Sequence, residues 1–161
     1  MAEVVVTPRE ADAQWVLHCA PGDAAATGAA LGVGLGAAML RAATGGGWHA
    51  LHLAPDEWLL VAPAGSKLGT AGAPHALVDI SDRSLGVDII GADAPAALNA
   101  ACPLDLGDAA FPVGMCTRTL FGKVMVMLWR TSAVTWRMDY ARSFDGYVTG
   151  LLALAVADAD D

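Results

Sequence analysis

Between Cys116 and Tyr140 three strand-like runs follow one another with almost no chain to spare, and that spacing limits the possible folds more than any other feature. Residues 116–121 and 124–129 are separated only by Gly122-Lys123, a two-residue connection whose leading glycine suits a type II′ turn. After Thr131-Ser132-Ala133 turns the chain again, Val134, Trp136, Met138 and Tyr140 alternate with Thr135, Arg137 and Asp139. Links this short join only antiparallel neighbours. A second such region spans residues 77–91. Leu77, Val78 and Ile80 form one β-prone run, and Leu85, Val87 and Ile89 alternate with Gly86, Asp88 and Ile90 in another. Between them Ser81-Asp82-Arg83-Ser84 can satisfy its own backbone through Asx and Ser turns, so the stretch is expected to be a hairpin with a solvated corner. The Arg83 guanidinium could there reach a carboxylate on a partner or ligand.

The remaining elements are read outward from these two. Residues 14–20 alternate as a strand, and Pro21-Gly22-Asp23 breaks it, with Asp23 a fitting N-cap for a helix from Ala24. Gly32, Gly34 and Gly36 weaken that helix, each at about 1 kcal/mol relative to Ala; it is expected to resume near Met39 and Arg41 and to stop at residues 45–47. Residues 48–53 and 58–62 form a hairpin across Ala54-Pro55-Asp56-Glu57. Residues 63–74 read as a loop or a frayed short helix, marking the boundary between two halves of one domain. A short helix starts at Asp93 and Pro95, carries Ala94, Ala97, Leu98 and Ala101, and ends at Cys102-Pro103. The last helix starts near Ser143, with Phe144, Val148, Leu151, Leu152 and Ala155 on one face, and the acidic tail at about 157–161 is expected to fray. Clustered hairpins without strand–helix–strand alternation predict an α+β fold, with mainly antiparallel sheet and about three helices, as a single domain over residues 1–161. The order of elements in the two halves leaves a distant internal duplication open.

Composition narrows the class of partner. Of 161 residues, 55% are hydrophobic and only 16% charged, against about 25% charged in an average soluble domain, so part of the apolar surface is expected to be covered by another chain. A net charge of −8 argues against nucleic acid. Cys19, Cys102 and Cys116 form no C-x-x-C pair, which points to neither a disulfide framework nor zinc and makes a cytoplasmic setting the expectation. The first ten residues lack the pattern of a secretory signal. Residues 24–40 are uncharged, but a helix of that length rises only about 26 Å and is built of Ala and Gly, so a membrane span is not expected.

The search for chemistry is mostly negative. The cluster Gly32-Val33-Gly34-Leu35-Gly36 lacks the G-x-G-x-x-G spacing and follows a helix instead of preceding one, which argues against dinucleotide binding. His49 and His52 lie three apart on a strand and so face opposite ways, which argues against a shared metal. His18 and His75 have no partner that spacing identifies. Cys102 and Cys116 lack a neighbouring base and read as buried small hydrophobes. Asp56-Glu57 reads as a solvated turn pair. Arg118, Trp129, Arg130, Trp136, Arg137 and Arg142 are dense in the second half; alternation explains Trp136 as core, and the rest are of the types that dominate interfaces. Asp56, Glu57, Trp58, Arg83, Arg118, Trp129, Arg130 and Arg142 are therefore candidate subunit-interface residues, with no catalytic, cofactor-binding or metal residue assigned.

Several of these segments, taken together and in order, resemble the gamma subunit family of heterotetrameric sarcosine oxidase. They are Pro55-Asp56-Glu57-Trp58-Leu59-Leu60, Val78-Asp79-Ile80-Ser81-Asp82-Arg83 with Gly86, Ala101-Cys102-Pro103-Leu104-Asp105-Leu106, Phe111-Pro112, Cys116-Thr117-Arg118-Thr119-Leu120 with Gly122-Lys123, Leu128-Trp129-Arg130, and Arg142-Ser143-Phe144 with Tyr147. The resemblance spans roughly residues 48 to 152. It implies a fold like the folate-binding domain of aminomethyltransferases. It also implies a non-catalytic role beside alpha, beta and delta subunits that carry FAD, FMN, NAD and zinc, demethylate sarcosine to glycine and can pass the one-carbon unit to tetrahydrofolate. A stand-alone folate-binding or aminomethyltransferase-like protein, or a subunit of a related N-methyl amino acid dehydrogenase, is the alternative.

Overall fold

The computed structural model describes residues 3–160. The chain divides into two compact units: an internal one, Ala11–Asp82, and a terminal one formed by the N-terminal residues through Glu10 and those from Arg83 onward. The boundary thus falls inside the 77–91 stretch. The 63–74 loop belongs to the internal unit, where Ala71 is buried in the core and Gly69 N–H donates to the Leu31 carbonyl at 2.9 Å.

The internal unit holds β2 (Asp12–Cys19), α1 (Ala24–Leu31), β3 (Ala42–Gly45), β4 (Trp48–Ala54), β5 (Glu57–Pro63) and β6 (His75–Asp79). Its antiparallel sheet runs β3-β4-β5-β2-β6. Leu17, Cys19, Trp48, Ala50, Trp58, Leu60 and Ala62 turn one face toward Leu31 and Val33, and this is the unit's core. Asp23 precedes α1, yet its side chain caps nothing because the 3-10 turn Pro21–Asp23 already leads into the helix. Gly32, at φ +81°, ends α1 in the left-handed conformation that glycine adopts without steric cost. The expected resumption near Met39 does not occur; Leu40, at φ +58°, is instead drawn alongside β4, its N–H donating to the His52 carbonyl at 2.8 Å.

The terminal unit holds β1 (Val5–Pro8), β7 (Ser84–Ile90), α2 (Ala94–Asn99), β8 (Cys116–Phe121), β9 (Val124–Arg130), β10 (Thr135–Ala141) and α3 (Asp145–Asp160), in a sheet ordered β1-β7-β10-β9-β8. The predicted three-strand meander is present, with Gly122 at φ +59° in the tight turn. Pro95 lies in the first turn of α2, while Asp93 makes no side-chain cap. Val148, Leu152 and Ala155 of α3 pack into a core with Phe121, Val126, Leu128, Trp136 and Met138. Phe144 departs from expectation: it sits in a 3-10 turn before α3 and is exposed. α3 continues through the expected acidic tail to Asp160, and residue 161 lies outside the described residues.

Residues 77–90 do not form a hairpin. β6 pairs with β2, and β7 pairs with β10 and β1. The 3-10 turn Ser81–Arg83 carries the chain from one unit into the other. Alternation marks a strand and its buried face but leaves the partner open, so two adjacent strands with a polar turn look like a hairpin whether or not they pair.

Candidate functional site

Ser81 anchors that junction turn. Its hydroxyl donates to Asp79 Oδ1 at 2.6 Å and accepts from Gln14 N–H at 2.9 Å, while its own N–H reaches Asp79 Oδ1 at 2.9 Å. These two bonds to the Asp79 carboxylate hold its pKa below the ordinary value. Arg83 is exposed at the end of the turn.

Most of the other polar residues that could do chemistry are engaged in holding the chain together. Arg130 is buried on β9 and donates to the Phe111 carbonyl at 2.9 Å and the Ala133 carbonyl at 2.8 Å. It also pairs with Asp108 at 2.7 Å and lies 5.1 Å over the Trp136 ring. One guanidinium thus fastens the 105–115 loop and the β9–β10 turn to the sheet. On β10, Arg137 and Asp139 form a buried two-pronged pair, Nε to Oδ2 at 2.7 Å and Nη2 to Oδ1 at 2.8 Å. Asp88, opposite Arg137 in register, pairs with Arg9 at 2.7 Å. Gly86 faces Asp139, and a Cβ there would come within 2.7 Å of its carboxylate. Sequence reading passed over this charged row, because a two-residue spacing on a strand looks like ordinary alternation.

In the internal unit, His52 stacks on Trp58 with ring centroids 4.3 Å apart and planes 11° apart, and Trp58 Nε1 donates to the Gly36 carbonyl at 3.4 Å. His49 instead meets Thr44 Oγ1 at 2.9 Å, so the two histidines part as their strand spacing predicts. His18 approaches Glu57 at 3.9 Å, and His75 Nδ1 lies 2.8 Å from the Ala73 carbonyl. All three cysteines are buried and in no disulfide; burial is the main cause that pushes the Cys19 thiol up, away from reactivity. Among the described residues no group of three or more His, Cys, Asp or Glu is placed to hold a metal ion.

Of the eight residues expected at an interface, Trp58, Trp129 and Arg130 are buried within the chain. Their side chains are closed to solvent in this chain, because residue types that form interfaces also pack cores and alternation alone does not say which face of a strand is open. Glu57 is half-buried beside His18, and Asp56, Arg83, Arg118 and Arg142 are exposed on four different elements or turns. What sequence reading missed is the exposed apolar residues at the C-terminal end of the chain, Phe144 in the turn before α3 and Tyr147 and Leu154 on it. The signal was the run 146–157 between Asp145 and Asp158, which carries no charge.

The model of the "Sarcosine oxidase, gamma subunit family" matches residues 17–159. The chain belongs to that family. Among the relatives it matches, the sarcosine oxidase subunit gamma of Arthrobacter sp is 36% identical over 129 residues, covering 74% of this chain and 64% of the relative. That of Corynebacterium sp. (strain U-96) is 34% identical over 167 residues, covering 97% and 82%. The match to the subunit from Corynebacterium sp. (strain P-1), 31% identical, covers 58% of it, so for two of these relatives the chain spans less than two thirds of the length. A chain of the heterotetrameric sarcosine oxidase from Corynebacterium sp. U-96, solved in complex with pyrrole 2-carboxylate, superimposes with a TM-score of 0.86 at 29% identity over 98% of this chain and 86% of that one. The glycine cleavage system aminomethyltransferase T from Bartonella henselae matches with a TM-score of 0.65 at 12% identity, over 93% of this chain and 45% of that one. This last likeness is one of fold, and it agrees with the α+β, mainly antiparallel architecture read from the sequence.

Proposed function

We propose that the chain is a non-catalytic, structural subunit of a multisubunit flavin-dependent sarcosine oxidase, which oxidatively demethylates sarcosine to glycine. The observation that carries this reading is the family match over residues 17–159, joined to a likeness across almost the whole chain with a chain of a heterotetrameric sarcosine oxidase. The internal engagement of Arg130, Arg137 and Asp139 supports it, since these groups serve the fold. In this reading alpha, beta and delta subunits carry FAD, FMN, NAD and zinc, tetrahydrofolate is a co-substrate of the complex, and the isolated chain is inactive. Asp56, Arg83, Arg118 and Arg142 are contact points at the rim of the subunit interface. The setting is cytoplasmic; no helix among the described residues is long and apolar enough to cross a membrane.

The test is the native mass of the protein isolated from its own cells, with the visible spectrum of the same peak. The expected result is a large complex with flavin absorbance that turns over sarcosine. A small colourless species would overturn the reading, and a reduced folate bound to that species at micromolar affinity would favour a stand-alone folate-binding protein.

A further inference from the structure

β1 ends one side of the terminal sheet and, among the described residues, pairs with β7 alone. An apolar edge strand is a template for pairing with another chain. At the opposite edge the end of β8 is covered: Gly122 N–H donates to the Ala101 carbonyl at 2.9 Å, and Cys102 Sγ lies 3.9 Å from Thr119 Oγ1. β1 itself reads Val5-Val6-Thr7-Pro8, without a charge, and Val5 is 46% exposed. The register decides which of its backbone groups point outward. Arg9 N–H donates to the Gly86 carbonyl, and Gly91 N–H donates to the Val134 carbonyl, so Gly86, Asp88 and Ile90 turn their backbone groups toward β1. Their partners Val5, Thr7 and Arg9 turn inward to meet them. Val4, Val6 and Pro8 therefore hold theirs toward the open side, and Pro8 stands where the fold asks for no N–H. Val4 and Val6 also line an apolar hollow of about 230 Å³, opposite Leu152, Ala153 and Val156 of α3. A strand bonded to the open side of β1 thus lays alternate side chains against that hollow.

We infer that this edge pairs with β1 of a second copy of the chain, antiparallel about a two-fold axis at Val6, so that two terminal sheets join into one. The sequence of the strand selects the occupant, because it is complementary to itself. With Val6 opposite Val6, each N–H meets the carbonyl of the other copy. Val4 then lies opposite Pro8, whose carbonyl accepts from the Val4 N–H. Val6 and Pro8 of one copy stand beside Val6 and Val4 of the other, on the side of the hollow. On the other face Val5 meets Thr7, and Glu3 meets Arg9, which sets opposite charges at both ends of the seam. Arg9 already binds Asp88 at 2.7 Å, and a guanidinium has donors for two carboxylates. These end pairs offset part of the repulsion between two chains that each carry a net charge of −8. Each copy has one such edge, so the pairing closes at a dimer.

The test uses the protein as isolated from its own cells, with whatever subunits accompany it. Native mass and subunit stoichiometry are expected to give two copies of this chain per particle at micromolar concentration, and a single copy overturns the inference. Val6→Pro removes an N–H that the pairing uses and the fold does not. Unchanged circular dichroism with the particle mass halved is expected, and an unchanged mass overturns the inference. A cross-link reads the register directly. Val6→Cys is expected to form a disulfide between copies under air oxidation, because Val6 meets itself, and the native cysteines are buried. Val5→Cys, which meets Thr7, is expected to form at least tenfold less. Equal linkage at both positions, or none at residue 6, overturns the inference. A particle made of this chain alone, still linked at residue 6, would uphold the pairing while removing the reading of the chain as a sarcosine oxidase subunit.

Discussion

Arg130 and Tyr140 illustrate how far a single residue can be read from its type. Arg130 was legible as important, because Arg beside Trp in a strand-rich segment is costly to place without a purpose. Its purpose was not legible, because the carbonyls of Phe111 and Ala133 that it binds come from turns brought together only by the finished fold. Tyr140 was legible as core from its alternation with Trp136 and Met138, but its hydroxyl partner was not. It donates to Asp145 Oδ1 at 2.9 Å. Burial first, and then the bond to Asp145, push the phenol pKa well above its ordinary value of 10. An unfolded tyrosine releases its proton near pH 10 while the native one keeps it. The native state therefore holds this contribution in full below pH 10 and loses it as the pH climbs further. Tyr140→Phe is expected to cost about 1 kcal/mol at neutral pH, through the lost hydrogen bond, and to flatten the decline of Tm above pH 10. Thermal unfolding of both proteins from pH 7 to 11 checks this; parallel Tm curves would show that Tyr140 does not titrate with unfolding.

At the scale of elements, the strands with strict alternation and a defined turn were legible nearly to the residue, as with β8, β9 and the glycine between them. β1 and β3 were missed because four residues each, Val5–Pro8 and Ala42–Gly45, are too short to show a period. The glycines in and after α1, read from the sequence as packing and flexibility, differ position by position. A Cβ at Gly28 would come within 2.6 Å of the Val33 carbonyl oxygen and 2.8 Å of Leu35 Cγ, whereas one at Gly34 would meet nothing within 4 Å. Gly28→Ala therefore gains about 1 kcal/mol of helix propensity but pushes the returning loop away, and overpacking of this kind costs about 1–3 kcal/mol. A lower Tm is expected. Gly34→Ala, by contrast, is expected to be neutral or to stabilise by about 0.4–1 kcal/mol through the unfolded chain. Opposite signs for these two substitutions in urea unfolding would confirm that Gly28 serves close approach; a stabilising Gly28→Ala would refute it.

At the scale of the whole molecule the two units share one plan, which sequence reading left open as a possible duplication. In the internal unit β2, α1 and the meander β3-β4-β5 follow one another, β5 returns to pair with β2, and β6 lines the free side of β2. In the terminal unit β7, α2 and the meander β8-β9-β10 repeat this, β10 pairs with β7, and β1 lines the free side of β7. Each outer strand precedes, along the chain, the first strand of the other unit, so the chain changes units after β1 and again after β6. This exchange is what defeated the hairpin reading of residues 77–90, since strand pairing at a crossing is decided by topology and not by neighbours in sequence. It also makes an unequal prediction about the N-terminus. β1 holds β7 through pairs from Val5 with Ile90 to Pro8 with Val87, and Val4 fills the terminal unit's core. Arg9 adds a 2.9 Å backbone bond to Gly86 and its ion pair with Asp88. Removing residues through Glu10 should therefore raise hydrogen exchange in Ser84–Ile90, at least tenfold at amides that β1 receives, while leaving β4 and β5 protected. Read by mass spectrometry on the assembled protein, equal loosening of both units, or none in β7, would contradict the exchange of outer strands.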